Sequence, residues 1–86
     1  MSKLGQLKGE LHALAQEARQ TSANIQAFDA KFSKAINEVQ ALIGGTATKT
    51  DQQIMEVLSG ASKAVKAAAE SLETAAKTAQ NYANSV

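Results

Sequence analysis

The short segment over residues 41–51 constrains the fold most, because it separates two long periodic segments and contains the only adjacent glycines of the chain. Gly44 and Gly45 can adopt the left-handed conformation that ends a helix without a steric penalty at Cβ. Residues 48–51 and 50–53 both fit the capping box, in which a threonine hydroxyl and the side chain three residues later cap a helix start. The segment therefore predicts the bend of a helical hairpin.

Apolar or small residues recur at alternating spacings of three and four before this bend, which is the heptad pattern of helices that pack side by side. The positions are Leu4, Leu7, Leu11, Leu14, Ala18, Thr21, Ile25, Phe28, Phe32, Ala35, Val39 and Leu42. Ile36 and Ile43 lie beside this seam and widen it, as expected for a helix with more than one neighbour. The pattern predicts a first helix over about residues 4–42.

The same alternation continues after the bend, through Ile54, Leu58, Ala61, Val65, Ala68, Leu72, Ala75, Ala79, Tyr82 and Val86. It predicts a turn over about residues 43–49 and a second helix over about 50–84. The predicted fold class is thus all-α, a single antiparallel two-helix hairpin. The two seams supply the expected core or interface residues: Leu7, Leu11, Leu14, Ala18, Ile25, Phe28, Phe32, Val39, Ile54, Leu58, Ala61, Val65, Ala68, Leu72, Ala75 and Ala79.

Two helices that touch along one line offset the conformational entropy lost on folding only marginally, and the many alanines bury little area each. Another hairpin is the simplest cover for the remaining apolar surface. We therefore expect a four-helix bundle built from two chains, either identical or different. A lone extended hairpin is the structural alternative.

Composition and motifs give no support for an enzyme. His12 is the only histidine, so it has no partner for a metal site or a proton relay, and we interpret it as a solvent-exposed residue. The glycine pair lacks the Lys-Ser/Thr of a phosphate-binding loop. The chain has no cysteine, and its net charge of +1 is scattered without a basic patch for nucleic acid. We therefore expect no catalytic residues, metal or cofactor.

Two features of the sequence bear on localisation. No run of eighteen apolar residues suggests a membrane span, and residues 1–11 lack the apolar region of a Sec signal peptide. Export would therefore need another route.

The whole chain resembles the WXG-type (ESAT-like) family of small type VII secretion proteins. Ile43-Gly44-Gly45 falls where that family has Trp-x-Gly, with the glycine kept and isoleucine in place of the indole. The apolar stretch Ile54-Met55 followed by Leu58 resembles the start of the family's second helix. Tyr82 resembles the tyrosine of its C-terminal Tyr-x-x-x-acid export signal, although Val86 stands at the acidic position.

This resemblance implies a protein that is cytoplasmic before export and then secreted without a Sec signal peptide. Its partner would be a second copy or another small helical hairpin protein, and a secretion ATPase is a further candidate partner. Tyr82 would be a degenerate export signal, and the chain would travel as a dimeric substrate or escort another exported protein. The two alternatives are a membrane-active helical protein and a helical filament or needle-like subunit.

Overall fold

The computed structural model describes residues 2–43 and 49–86, which form two long α-helices and no strand. Helix α1 spans Lys3–Ile43 and helix α2 spans Lys49–Ser85. The two helices pack against each other along their length as an antiparallel hairpin. The all-α hairpin predicted from the heptad pattern is therefore confirmed.

Local capping explains where α1 begins. The backbone N–H of Gly5 donates a 3.2 Å hydrogen bond to Ser2 Oγ, so Ser2 acts as the N-cap of α1. Asp51 lies in the first turn of α2, where a negative charge interacts favourably with the positive end of the helix dipole. Gly44, Gly45 and the capping threonine at position 48, which we predicted to form the bend, lie outside the described residues.

The hairpin is long and thin, with principal extents of 66 × 17 × 13 Å and a radius of gyration of 19.3 Å. A compact domain of this length would have a radius of gyration of about 12 Å. The accessible surface is 6292 Å², whereas a compact monomer of this mass would expose about 4,900 Å². The hairpin therefore exposes about 1,400 Å² more surface than a compact monomer of the same mass would.

Candidate functional site: the apolar face

Alternate positions along the middle of each predicted seam face the other helix, whereas Leu4, at the start of the first seam, is 49% exposed. The facing positions are buried or half-buried, and they are Leu11, Ala18, Ile25, Phe32, Leu58, Val65, Leu72 and Ala79. One buried cluster lies in the N-terminal half of α1, where Ala15 and Ala18 contact Ala76 and Ala79 of α2. Leu11 and Leu72 pack against this alanine cluster. The core of the hairpin is therefore built mainly from small side chains.

The other positions of each predicted seam point away from the hairpin core. On α1 they form the outer row, which consists of Leu7, Leu14, Thr21, Phe28, Ala35 and Leu42. On α2 the outer row consists of Ile54, Ala61, Ala68, Ala75 and Tyr82. Leu14 is 55% exposed, Phe28 54% and Tyr82 52%. The predicted core or interface residues on these rows, such as Leu14 and Phe28, are therefore not buried within the single hairpin, and their role at an interface between chains stays a prediction.

The hairpin core instead uses a neighbouring row of each helix that the heptad analysis did not assign to the core. In α1 this row contains Ala15, Ser22, Asp29 and Ile36, and in α2 it contains Met55, Ser62, Ala69, Ala76 and Ala83. Small side chains at these positions let two helices approach closely. The larger apolar residues of α1 are consequently left on the outside. Ile36 lies beside the predicted seam, but the alanines and serines of this row give no hydrophobic signal strong enough to mark them as core.

Two hydrogen bonds between the helices fix their register. Ser22 Oγ donates to the carbonyl oxygen of Ala69 at 3.0 Å, and Ser62 Oγ donates to Asp29 Oδ1 at 3.1 Å. Asp29 lies seven residues after Ser22, and Ser62 lies seven residues before Ala69. The same antiparallel register therefore holds over two helical turns.

The residues that directly follow the inner seam positions form a polar face. The side chains of Arg19 and Gln80 bridge the two helices on this face, with Nη1 of Arg19 donating to Oε1 of Gln80 at 2.6 Å. Gln26 of α1 and Lys66 of α2 line one groove on the same face, and Ser33 of α1 lines a second groove with Lys66. Both helices thus contribute polar side chains to one side of the hairpin.

Both outer rows lie on the side opposite this polar face. An α-helix turns by about 100° per residue, so on each helix the outer row and the polar positions flank the inner contact from opposite sides. Because the polar positions of the two helices share one face, the two outer rows must share the other. We call this surface, made of both outer rows, the apolar face. None of its residues is charged.

The remaining predicted site residues are placed as follows. Ile43 is half-buried at the end of α1, on the row that faces α2, and Ile54 is 45% exposed on the outer row of α2. Val39 is 37% exposed at the margin of the core. His12 is exposed, as interpreted from its isolation in the sequence.

The described residues offer neither a metal site nor a membrane-spanning helix. Among residues 2–43 and 49–86, no group of three or more acidic, histidine or cysteine side chains is placed to hold a metal ion. Neither α1 nor α2, as described, has a stretch long and apolar enough to span a bilayer.

Comparisons with protein families, with curated proteins and with solved structures give no match for this chain.

Proposed function

We propose that this protein is a small helical-hairpin component of a type VII secretion system, which pairs with a second hairpin and is exported with it or escorts it. The observation that carries the pairing part is the apolar face. Large apolar side chains such as Leu14 and Phe28 are exposed on it in a regular row. Contiguous exposed apolar surface of this kind marks a site of protein–protein or membrane interaction.

The export part of the proposal depends on the resemblance of the sequence to the WXG-type family. Tyr82 is 52% exposed near the C-terminal end of α2, so its ring is accessible to a recognition partner. The hydroxyl of Ser85 donates a 3.1 Å hydrogen bond to the carbonyl oxygen of Tyr82 and caps this last turn. An ordered, accessible tyrosine at this position is compatible with a helical recognition signal.

A secretion assay in the native host, with the neighbouring genes present, tests the proposal. Tyr82→Ala should reduce the amount of protein in the medium without lowering its level in the cell. Asn81→Ala, which changes the adjacent exposed residue, is the matched control and should be exported normally. Export of the Tyr82→Ala variant at the wild-type level would contradict the assignment of Tyr82 as an export signal.

The two alternatives have their own readouts on purified protein. A membrane-active protein would release dye from liposomes, and a filament subunit would grow fibres as its concentration rises. Interfacial helices usually combine lysine or arginine with tryptophan or phenylalanine anchors, whereas the apolar face has no positive charge and a single phenylalanine. We therefore expect neither leakage nor fibres from the wild-type protein.

A further inference from the structure

We infer that the hairpin opens in one half only, so that the two helices part in the alanine half while the bend half stays closed. The alanine half consists of residues 11–22 of α1 and 69–83 of α2, and the bend half consists of residues 25–43 and 49–65. The inference does not depend on the secretion role proposed above, because it concerns only the contact between the two helices. Three features of the described residues support it.

The first feature is the size of the side chains that join the helices. Among the described residues, the buried apolar side chains of the alanine half are Ala15, Ala18, Ala69, Ala76, Ala79 and Ala83. The inner positions of the bend half are buried or half-buried and carry larger side chains: Ile25, Phe32, Ile36, Met55, Leu58 and Val65. Burial of a whole large apolar side chain contributes about two to four times as much free energy as burial of one methyl-sized group. The contact in the alanine half, to which only Leu11 and Leu72 add large side chains, is therefore the weaker one.

The second feature is the row of leucines at the start of α1. Four leucines lie there on one heptad seam, and they are Leu4, Leu7, Leu11 and Leu14. Only Leu11 packs against the alanine cluster, whereas Leu4 is 49% exposed, Leu7 38% and Leu14 55%. Parting of the helices therefore uncovers only one of these four leucines. It also leaves all four on one continuous stripe of a single helix.

The third feature is the position of the hydrogen bonds between the helices. In the alanine half, Nη1 of Arg19 donates to Oε1 of Gln80 at an exposed site, where water can replace the bond. The buried bond from Ser22 Oγ to the carbonyl oxygen of Ala69 lies where the two halves meet. The backbone hydrogen bonds of an α-helix run within that helix, so parting of the helices breaks none of them. The opening therefore extends as far as Ser22.

The opening has a consequence for the backbone amides of the alanine half. An isolated helix shorter than about 12–15 residues is only marginally stable in water, so the two segments lose their protection against exchange once they part. Gly9 weakens the start of α1 further, and a Cβ built there meets no atom within 4 Å, so close packing does not require this glycine. Amides of the alanine half should therefore exchange through a partial opening and not through unfolding of the whole chain.

Amide hydrogen exchange of the full wild-type chain, followed residue by residue by NMR, tests the inference. Protection factors over residues 15–22 and 76–83 should be at least about tenfold lower than those over residues 32–36 and 58–65. Exchange in the alanine half should also respond less to added urea, since a partial opening exposes less surface than global unfolding. Equal protection of the two halves, or stronger protection of the alanine half, would overturn the inference.

A disulfide in each half gives a second readout, because the chain has no cysteine of its own. Oxidised Ala15→Cys with Ala76→Cys joins the helices in the alanine half and should raise protection there by at least about tenfold over the reduced form. Asp29→Cys with Ser62→Cys is the matched control in the bend half, and its oxidation should leave the alanine half exchanging as before. The reduced form of each variant is the reference for any effect of the substitutions themselves. An equal gain in the alanine half from both disulfides would contradict a separate opening of that half.

Discussion

The hydroxyl of Ser22 is completely buried and donates a hydrogen bond to the carbonyl oxygen of Ala69 at 3.0 Å, which joins the middles of the two helices. Gln26 Nε2 in turn donates to Ser22 Oγ at 3.3 Å. A polar side chain thus occupies a position where close helix packing leaves no room for a larger apolar one. This hydrogen bond and the close packing explain why a serine lies in the core, although several leucines are exposed on the outside of the hairpin.

Ser22→Ala should lower the free energy of unfolding by about 0.5–1.5 kcal/mol, because it removes this hydrogen bond with little change in volume. Ser22→Leu should lower the free energy of unfolding further, by about 1–3 kcal/mol, because the added atoms would force the helices apart. Urea unfolding followed by circular dichroism measures both. Ser59→Ala, at an exposed position, is the control and should change stability by less than about 0.5 kcal/mol.

The same substitution at two adjacent alanines of α2 should destabilise the hairpin at one position and have almost no effect at the other. Ala76 has no exposed surface and packs in the alanine cluster, so Ala76→Leu should destabilise the fold by about 1–3 kcal/mol through overpacking. Ala75 is exposed on the apolar face, and Ala75→Leu should leave the hairpin itself nearly unchanged. Thermal melts at low protein concentration separate the two. Equal destabilisation would return Ala75 to the core, as the heptad pattern predicted.

Replacing two glycines inside the helices should raise the stability of the protein. A Cβ built at Gly9 or Gly60 meets no atom within 4 Å outside its own local backbone. Gly9→Ala and Gly60→Ala should therefore each raise the free energy of unfolding by about 0.5–1 kcal/mol, through better helix propensity and a less flexible unfolded chain. Chemical denaturation checks this, and a loss of stability in either variant would show that the glycine has an unrecognised contact.

Replacing each of the two phenylalanines by alanine should lower stability, and the two losses should depend differently on protein concentration. Their rings stack with centroids 5.6 Å apart, but Phe32 is half-buried whereas Phe28 is 54% exposed. Phe32→Ala should destabilise the hairpin at every concentration. Phe28→Ala should cost about 1 kcal/mol from the lost ring pair when the chain is dilute. If the hairpin pairs with a second copy of itself, the stability lost through Phe28→Ala should grow as the protein concentration rises. Thermal melts over a dilution series measure this, and a loss that stays constant would contradict such pairing.

The sequence predicted the two-helix hairpin well because helix periodicity is a local signal. The described helices, Lys3–Ile43 and Lys49–Ser85, cover the segments over which the heptad pattern predicted helix. The direction that each helix faces was predicted less well. The outer row, with Leu14 and Phe28, gives a stronger hydrophobic signal than the neighbouring row, with Ala15 and Ser22. Periodicity records hydrophobicity, whereas the contact between two long helices was decided by how closely their backbones approach.

The candidate site could be predicted from the sequence only in part. A seam of alternating threes and fours cannot separate residues that pack within a chain from residues left for a partner, because both belong to one broad apolar stripe. The structure makes this separation through the hydrogen bonds of Ser22 and Ser62, which set the rotation of each helix. Once these rotations are known, the exposed charged residues beside the outer row of α1, such as Glu10 and Lys31, can be located relative to the apolar face.

The alanine core has a calorimetric consequence. The heat capacity change on unfolding grows with the apolar area that becomes exposed, and it is about 12–15 cal/mol/K per residue in ordinary globular proteins. A hairpin closed mainly by Ala15, Ala18, Ala76 and Ala79 hides little such area, while Leu14 and Phe28 already contact water. Its heat capacity increment should fall well below that range. The stability curve of the isolated chain would then be shallow, with a weak dependence on temperature over a wide interval.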